Sequence, residues 1–137
     1  RCRMNKRYLL DSNILIHLLR NQPAVRSKIE QVGWENCCIS EISVVELLYG
    51  AQCSTAPEKN RELVKGLLST IEIIPFGVCI EEFCIQKGRL RQLGLLIEDF
   101  DLLIGCTSVT IGCVMVSENI KHLSRIANIE LENWVVR

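Results

Sequence analysis

Short apolar runs alternate with amphipathic stretches along this chain. Four of the runs predict buried β-strands, at residues 7–10, 37–40, 71–76 and 114–117. A last edge strand or tail is expected in the run "ELENWVV", at residues 130–136. Buried strands separated by helices are typical of an α/β domain with a parallel sheet.

The amphipathic segments between these strands predict helices. The polar residues Asp11, Ser12 and Asn13 end the first strand and suit a helix N-terminus. Ser40 or Ser43 is expected to cap the helix after the second strand, and Gly94 to end the longest helix. The predicted helices span residues 14–20, 43–51, 57–68, 78–93, 99–112 and 118–126.

The composition points to one domain with an aliphatic core. Of the 137 residues, 48% are apolar and only 5% are aromatic, so Leu, Ile and Val are expected to do most of the packing. The aromatic side chains Trp34, Phe76, Phe83 and Phe100 are expected to be buried with them. We predict a single domain over residues 4–137, with residues 1–3 as leader sequence.

Charge and cysteine placement argue against several classes of protein. The net charge is zero at pH 7, which argues against adhesion to nucleic acid through bulk positive charge. The eight cysteines lie mostly in apolar runs, without a C-x-x-C pair or zinc spacing to His17 or His122, so we expect free thiols in a reducing cytosol. With no recognisable signal peptide and no apolar run near the roughly 20 residues of a membrane span, a cytoplasmic protein without membrane contact is predicted.

Acidic residues fall where strands end or where helices are otherwise apolar. Asp11 ends the first strand, and Glu118 follows the fourth. Glu46 lies within an apolar helix, and Asp99 and Asp101 open a very hydrophobic one. Ligand sites of open α/β sheets gather at the carboxyl ends of strands. Asp11 and Glu118 are expected there. Asp99 and Asp101 join them if their helix begins at that edge.

A buried carboxylate needs a basic side chain or a metal ion as its partner. Several convergent carboxylates repel one another unless they share a cation, and their hard oxygen atoms suit Mg²⁺ or Mn²⁺. Such an ion polarises a phosphoryl oxygen, generates hydroxide from bound water and orients the leaving group. The pattern therefore predicts a phosphodiester hydrolase with Mg²⁺ (or Mn²⁺) as its cofactor.

Simpler roles for single residues stay open at this point. Asp11 is equally well explained as a helix cap, and Asp99 as a cap that favours the helix dipole. Glu46, with apolar neighbours on both sides, has no evident surface role. Lys121 and Arg125 lie four residues apart on one predicted helix face, which is either solvated or in contact with phosphate.

Four motifs, in their order along the chain, resemble those of PIN-domain ribonucleases of the VapC toxin type. They are "YLLDSNILI" (8–16), "ISEISVVELLYGA" (39–51), "LGLLIEDFDLLIGCTSV" (93–109) and "VMVSENIKHLSRIANIELENW" (114–134). The set spans nearly the whole chain. The resemblance implies a PIN-like α/β fold, with a central parallel sheet flanked by helices on both faces.

The resemblance also implies which residues carry the chemistry. The family's three catalytic acids correspond to Asp11, Glu46 and Asp101, with Asp11 and Asp101 as metal ligands. The resemblance implies that the amide of Asn13 supports the first aspartate. Asp99, from its position two residues before Asp101, is also expected to support the site. Ser12 replaces the family's more usual threonine and keeps the hydroxyl.

Many relatives carry a fourth acid after the last buried strand, in a T-x-D pattern. Here the pattern reads Ser117, Glu118, Asn119, and all three are expected to support the site. Asn119 occupies the usual aspartate position, and Glu118 supplies a carboxylate one residue earlier. This departure argues against a second tightly bound metal ion.

The resemblance further implies partners and a biological role. VapC-like proteins are toxins of type II toxin–antitoxin pairs that cut RNA, so the implied partners are an RNA substrate and a cognate antitoxin. A homodimer is implied as well, with operator DNA contacted only through the antitoxin complex. Two other functions compete with this one: a degenerate PIN-like module that binds RNA or protein, and a phosphatase with Asp11 as nucleophile. The retained acids argue against the first, and Asn13 in place of a second aspartate argues against the second.

Overall fold

The structure is a computed structural model of the chain that describes residues 6–137. The predicted leader at residues 1–3 and the thiol of Cys2 lie outside the described residues. Five strands form one parallel sheet in the order β3-β2-β1-β4-β5. The strands are β1 (Tyr8–Leu10), β2 (Cys37–Ser40), β3 (Glu72–Ile74), β4 (Val114–Val116) and β5 (Leu131–Glu132). The helices of residues 6–137 are α1 (Ser12–Leu19), α2 (Pro23–Val32), α3 (Glu41–Gln52), α4 (Pro57–Leu68), α5 (Ile80–Leu93), α6 (Asp99–Ile111) and α7 (Ile120–Leu123).

Helices cover both faces of the sheet. Successive residues of a strand point to opposite faces, so each strand contributes side chains to both layers of helices. Leu10 and Val116 pack into a core formed with buried residues of α1 to α4. Leu9 and Met115 pack into a second core formed with α5, α6 and α7. Strands buried on both faces read as continuous apolar runs, which is the pattern seen in the sequence. The predicted α/β architecture is confirmed.

The strand order reverses at the central strand β1, which lies between β2 and β4. The chain leaves β1 at Asp11, whose backbone N–H donates to the carbonyl of Val116 at 2.9 Å. Ser117 leaves β4 directly beside it. Open α/β sheets hold their ligands at the carboxyl ends of the strands where the order reverses. The topology therefore places Asp11 and Ser117 at the carboxyl edge of the sheet.

Several helix ends follow the predicted signals. Ser40, rather than Ser43, caps α3, and its Oγ accepts from the backbone N–H of Ile42 at 3.0 Å. Gly94 ends α5 in the left-handed conformation at φ +69°, and Gly112 ends α6 at φ +72°. Glycine adopts this conformation without the steric cost of a Cβ.

Helix α2 was not predicted from the sequence. Its surface is mostly polar, and its apolar signal rests on Val25 and Ile29, which are fully buried. Pro23 opens the helix at a position where proline is tolerated. The helix is therefore held by tertiary packing of one narrow apolar face.

Two elements are shorter than predicted. The third strand stops at Ile74, and a 3₁₀ turn follows at Phe76–Cys79. Helix α7 ends at Leu123, so the prediction that Lys121 and Arg125 share a helix face is wrong. Arg125 Nη1 instead donates to the carbonyls of Leu95 and Leu96, at 3.3 Å each.

The aromatic side chains depart from the predicted burial. Phe76 and Phe100 are 40% and 44% exposed, so the prediction that they are core residues is wrong. Trp34 and Phe83 are partly buried against the two cores. The seven cysteines of residues 6–137 are free thiols, as predicted, and five of them are buried. None of the helices in this range has the length and apolar character to cross a membrane.

Candidate active site

Asp11 is the most buried acid of the candidate site, with a relative exposure of 4%. It caps α1, since its Oδ1 accepts from the backbone N–H of Ser12 at 2.8 Å. Its Oδ2 accepts from Ser117 Oγ at 2.7 Å and from Asn13 Nδ2 at 3.4 Å. Burial raises the pKa of Asp11, although the hydrogen bonds from Ser117 and Ser12 oppose that rise. Asp11 is thus a helix cap and a site residue at once.

Glu46 reaches the same place from α3. Ser12 Oγ donates to Glu46 Oε1 at 2.7 Å and lies 3.5 Å from Asp11 Oδ1. Partial burial raises the pKa of Glu46, and the negative charges of Asp11 and Asp101 add to that rise. The Ser12 hydroxyl therefore links two of the predicted acids.

Asp101 comes from the first turn of α6. Its Oδ2 accepts from Asn119 Nδ2 at 3.1 Å. Burial raises the pKa of Asp101, the charges of Asp11 and Glu98 raise it further, and His122 acts in the opposite direction. Helix α6 thus begins at the carboxyl edge of the sheet, which is the condition that the sequence left open for Asp101.

The three carboxylates form an electrostatic group, called here the acid group (Asp11, Glu46 and Asp101). The charge of Asp11 raises the pKa of both others, so each member lies within reach of its field. Their hydrogen-bond donors are neutral hydroxyl, amide and backbone groups. Within residues 6–137, none of the three forms an ion pair with a basic side chain. Repulsion among these like charges favours the binding of a cation.

The acid group fits Mg²⁺ or Mn²⁺ by its chemistry. The ligands that the acid group offers to a cation are all carboxylate oxygens, which hard cations prefer. Within residues 6–137, no group of three or more His, Cys, Asp or Glu side chains is arranged to hold a metal ion by itself. Mg²⁺ does not need so many protein ligands, because it keeps several of its waters and is commonly held by one or two carboxylates. Asp11 and Asp101 are the candidates for that role.

Polar residues after β4 brace the acid group. Ser117, which is fully buried, also accepts from Asn13 Nδ2 at 3.3 Å and from the backbone N–H of Asn119 at 2.9 Å. Asn13 Oδ1 accepts from the backbone N–H of Glu118 at 3.3 Å. The predicted supporting residues Asn13, Ser117 and Asn119 therefore lie together around Asp11 and Asp101.

The Glu118 carboxylate is engaged with other partners. Its Oε1 lies 2.6 Å from His17 Nε2, and its Oε2 pairs with Arg137. Burial by itself would raise the pKa of Glu118, but the hydrogen bonds from His17 and Arg137 hold it below its usual value. Glu118 therefore joins α1 to the end of the chain.

The Asp99 carboxylate is likewise engaged with another partner. Its side chain is 57% exposed, and its Oδ1 accepts from Lys87 Nζ at 2.9 Å. Glu98 occupies the N-cap position of α6, where no side chain makes a capping bond, so the alternative in which Asp99 caps the helix does not hold. Asp99 does lie in the first turn, where the helix dipole favours a negative charge. Asp99 lies only two residues from Asp101 but has a different environment.

Sequence reasoning missed four side chains near the site: Ser12, His17, His122 and Arg137. Ser12 was noted only as a substitute for threonine, yet it touches Glu46. His17 lies four residues after Asn13 on α1, a spacing that places both on one helix face. His122 lies three residues after Asn119, so their contact is local. Arg137 has no local sequence signal, because a tertiary contact alone brings it to Glu118.

Comparisons with known proteins agree on one family. The PIN domain family model matches residues 8–129. The chain is 35% identical to ribonuclease VapC2 of Rickettsia felis, covering 93% of this chain and 97% of that protein. It is 30% identical to the tRNA(fMet)-specific endonuclease VapC of Salmonella typhimurium, covering 93% of this chain and 98% of that protein.

A solved structure agrees with this assignment. The structure of VapBC2 from Rickettsia felis, bound to a DNA fragment from its promoter, superposes with a TM-score of 0.87 at 33% identity. The match covers 93% of this chain and 98% of that one. The chain belongs to the PIN-domain family, within its VapC group of ribonucleases.

Proposed function

We propose that this protein is an endoribonuclease that uses Mg²⁺ or Mn²⁺ and serves as the toxin of a type II toxin–antitoxin pair. The observation that carries the proposal is the acid group: three carboxylates with raised pKa values and no basic partner within the described chain. Family membership supplies the reaction class, hydrolysis of RNA phosphodiester bonds.

The roles of the acids follow from their contacts. Asp11 and Asp101 would hold the divalent ion, which supplies Lewis-acid polarisation of the phosphoryl oxygen when bound. Glu46 Oε accepts a proton from the attacking water, a role suited to a carboxylate whose pKa is raised. Ser12 holds Glu46 Oε1, while Ser117 holds Asp11 Oδ2. These hydroxyl groups fix the acids before substrate arrives.

The substrate in this proposal is RNA, as the names of the relatives indicate for those proteins. Lys121 is exposed on α7, close in sequence to Asn119, and would contact a phosphate of the substrate. Arg125 would add a weaker phosphate contact, because its Nη1 already donates to two loop carbonyls. The seven free thiols of residues 6–137 fit a reducing compartment and support a cytoplasmic location for the reaction.

The direct test compares three Asp→Asn variants. We expect Asp11→Asn and Asp101→Asn to lower RNA cleavage on the order of 100-fold or more, since even outer partners of a metal site commonly contribute 10- to 100-fold. Asp99→Asn is the matched control, because Asp99 lies in the same helix turn as Asp101 but faces Lys87. Cleavage of purified RNA in metal-controlled buffer, together with growth on expression, measures the effect. Full activity of Asp11→Asn or Asp101→Asn would contradict the proposal.

The antitoxin would bind in a groove between α1, α3 and α4. This groove has a volume of about 310 Å³, and its apolar lining includes Ile16, Leu19, Leu47, Leu63 and Val64. Glu46 also lines it, so the groove runs to the acid group. A partner with an apolar segment and one basic side chain would fill the groove and pair with the acids. A similar chain has been solved in the VapBC2 complex of Rickettsia felis with a promoter DNA fragment, so operator DNA would here be reached through the antitoxin.

A homodimer would form through a different surface. Val45, Ile73 and Phe76 line a shallow surface at the end of β3 and are 52%, 39% and 40% exposed. Tyr49, one turn after Val45 on α3, is 70% exposed. Large groups of exposed apolar residues on one face mark sites of interaction with other molecules. This dimer patch is defined by Val45, Tyr49, Ile73 and Phe76.

A further inference from the structure

The side-chain amide of Asn119 bridges an acid of the site and a histidine at its rim. Asn119 Nδ2 donates to Asp101 Oδ2 at 3.1 Å, and Asn119 Oδ1 lies 3.1 Å from His122 Nδ1. Among residues 6–137, His122 is the one side chain within hydrogen-bond distance of that amide oxygen. The three side chains form a continuous chain from exposed His122 to the acid group.

The Asn119 amide can serve Asp101 in only one orientation. A rotated amide would set its oxygen against the carboxylate, which repels it, whereas the amide nitrogen attracts it. His122 Nδ1 with its hydrogen donates to Asn119 Oδ1, and so favours the orientation in which Nδ2 faces Asp101. His122 thus fixes Asn119, and Asn119 fixes one oxygen of Asp101.

A neutral donor at this position also has an electrostatic consequence. Asp101 already lies in the field of Asp11 and Glu98, and both charges raise its pKa. A carboxylate at position 119 would add a further negative charge, whereas the amide of Asn119 donates a hydrogen bond. The site therefore gains orientation of Asp101 at this position without added repulsion.

We propose that His122 is a positioning residue for the metal-dependent reaction, acting through Asn119 on Asp101. The Asn119 amide holds Asp101 Oδ2, and within residues 6–137 no hydrogen bond is made to Oδ1, which would be available to a cation. Toward the acid group, the hydrogen bond of His122 goes to this amide, and its other effect on Asp101 is electrostatic. His122 is therefore a positioning residue and not a catalytic one. This inference rests on the proposed function, because it assigns a role toward the divalent ion.

The test uses three substitutions at one exposed position, where the fold is not at risk. His122→Ala removes the donor. His122→Asn keeps a nitrogen donor near the place of Nδ1, and His122→Gln moves that donor one bond farther, near the place of Nε2. The readouts are Mn²⁺ affinity of the RNA-free protein, measured by the electron paramagnetic resonance signal of free Mn²⁺, and kcat and KM for RNA cleavage.

We expect His122→Ala to weaken Mn²⁺ binding and to lower kcat by about tenfold each, as loss of an outer partner of a metal site commonly does, with KM unchanged. His122→Asn should restore most of both losses, and His122→Gln should not. Adding His122→Ala to Asn119→Ala should not lower Mn²⁺ affinity or kcat below the values of Asn119→Ala alone. The reason is that both residues act through one chain of hydrogen bonds.

Three outcomes would overturn this assignment. One is wild-type Mn²⁺ affinity and kcat in His122→Ala. Another is a His122→Asn variant as weak as His122→Ala, which would show that the imidazole itself matters. The third is additive losses in the double variant. If one of these outcomes is found while Asp11→Asn and Asp101→Asn are inactive, only the role of His122 is contradicted and the ribonuclease function still holds. If Asp11→Asn and Asp101→Asn are active, the ribonuclease function itself is contradicted.

Discussion

At the residue scale, Asp11 is both the cap of α1 and a member of the acid group. Its Oδ1 caps α1, and its Oδ2 is held by Ser117 beside the acid group. The cap fixes the carboxylate at the point where β1 ends. A helix cap thereby becomes a rigid part of the site, and burial leaves it with a raised pKa.

Glu118 should matter less for catalysis than Asp101 does. We expect Glu118→Gln to lower RNA cleavage by about tenfold or less, the lower end of effects from residues outside the ligand set. The reason is that its carboxylate pairs with His17 and Arg137. Steady-state cleavage rates of Glu118→Gln and Asp101→Asn, measured side by side, check this. A loss equal to that of Asp101→Asn would show that Glu118 acts directly on the metal.

Metal binding should stabilise the protein in a pH-dependent way. The folded-state pKa values of Asp11, Glu46 and Asp101 lie above the usual 3.8, 4.5 and 3.8. A raised carboxyl pKa contributes stability that is present below these usual values and is lost as the pH rises through the folded-state pKa. Metal-free protein should therefore lose this contribution above about pH 4, and a bound cation should offset the loss.

Melting temperatures with and without Mn²⁺ or Mg²⁺ measure this effect. At pH 7, a tenfold excess of ion over its Kd should add about 1.4 kcal/mol of stability. Below pH 4 the shift should largely vanish, because protons occupy the carboxylates. Asp101→Asn should lose most of the shift at pH 7. No shift at pH 7 with either ion would contradict the metal site.

At the element scale, α3 connects the site with two surfaces. Glu46 joins the acid group, Leu47 lines the groove, and Val45 lies on the dimer patch. These consecutive residues point in different directions because an α-helix turns by about 100° per residue. One helix can therefore link catalysis, inhibition and assembly.

Changing the groove should weaken antitoxin binding without affecting cleavage. We expect Leu63→Asp to weaken binding of the cognate antitoxin by about tenfold or more, because it places a charge in an apolar contact. Val45→Asp is the matched control, since Leu63 and Val45 are both 52% exposed. Titration calorimetry with the purified antitoxin measures the change. Equal binding by Leu63→Asp and wild type would place the antitoxin elsewhere.

At the scale of the whole molecule, the dimer patch predicts the oligomeric state. We expect a dimer at micromolar concentration, and a monomer after Val45→Asp, because the new charge would be buried at the contact. Leu63→Asp, with equal exposure on the other surface, should remain a dimer. Sedimentation velocity distinguishes the two states. A wild-type monomer, or a dimer that tolerates Val45→Asp, would contradict this use of the patch.

The sequence by itself determined the layered α/β fold and most of its elements. Buried strands are continuous apolar runs, so their existence is visible locally, as are the glycine that ends α5 and the serine that caps α3. Helix α2 was missed because its only apolar contacts are made by a narrow stripe including Val25 and Ile29. Its stability comes from packing that no local pattern reports.

For the site, the sequence marked the acids, and the tertiary structure decided what each one faces. Asp99 and Asp101 look alike in the sequence, yet one pairs with Lys87 and the other accepts from Asn119. Glu118 pairs with Arg137, the last residue of the chain. Residue type and spacing determine which side chains can bind a cation, since that chemistry is local. Which carboxylates remain without a basic partner depends on contacts between residues far apart in the sequence, and these exist only in the folded chain.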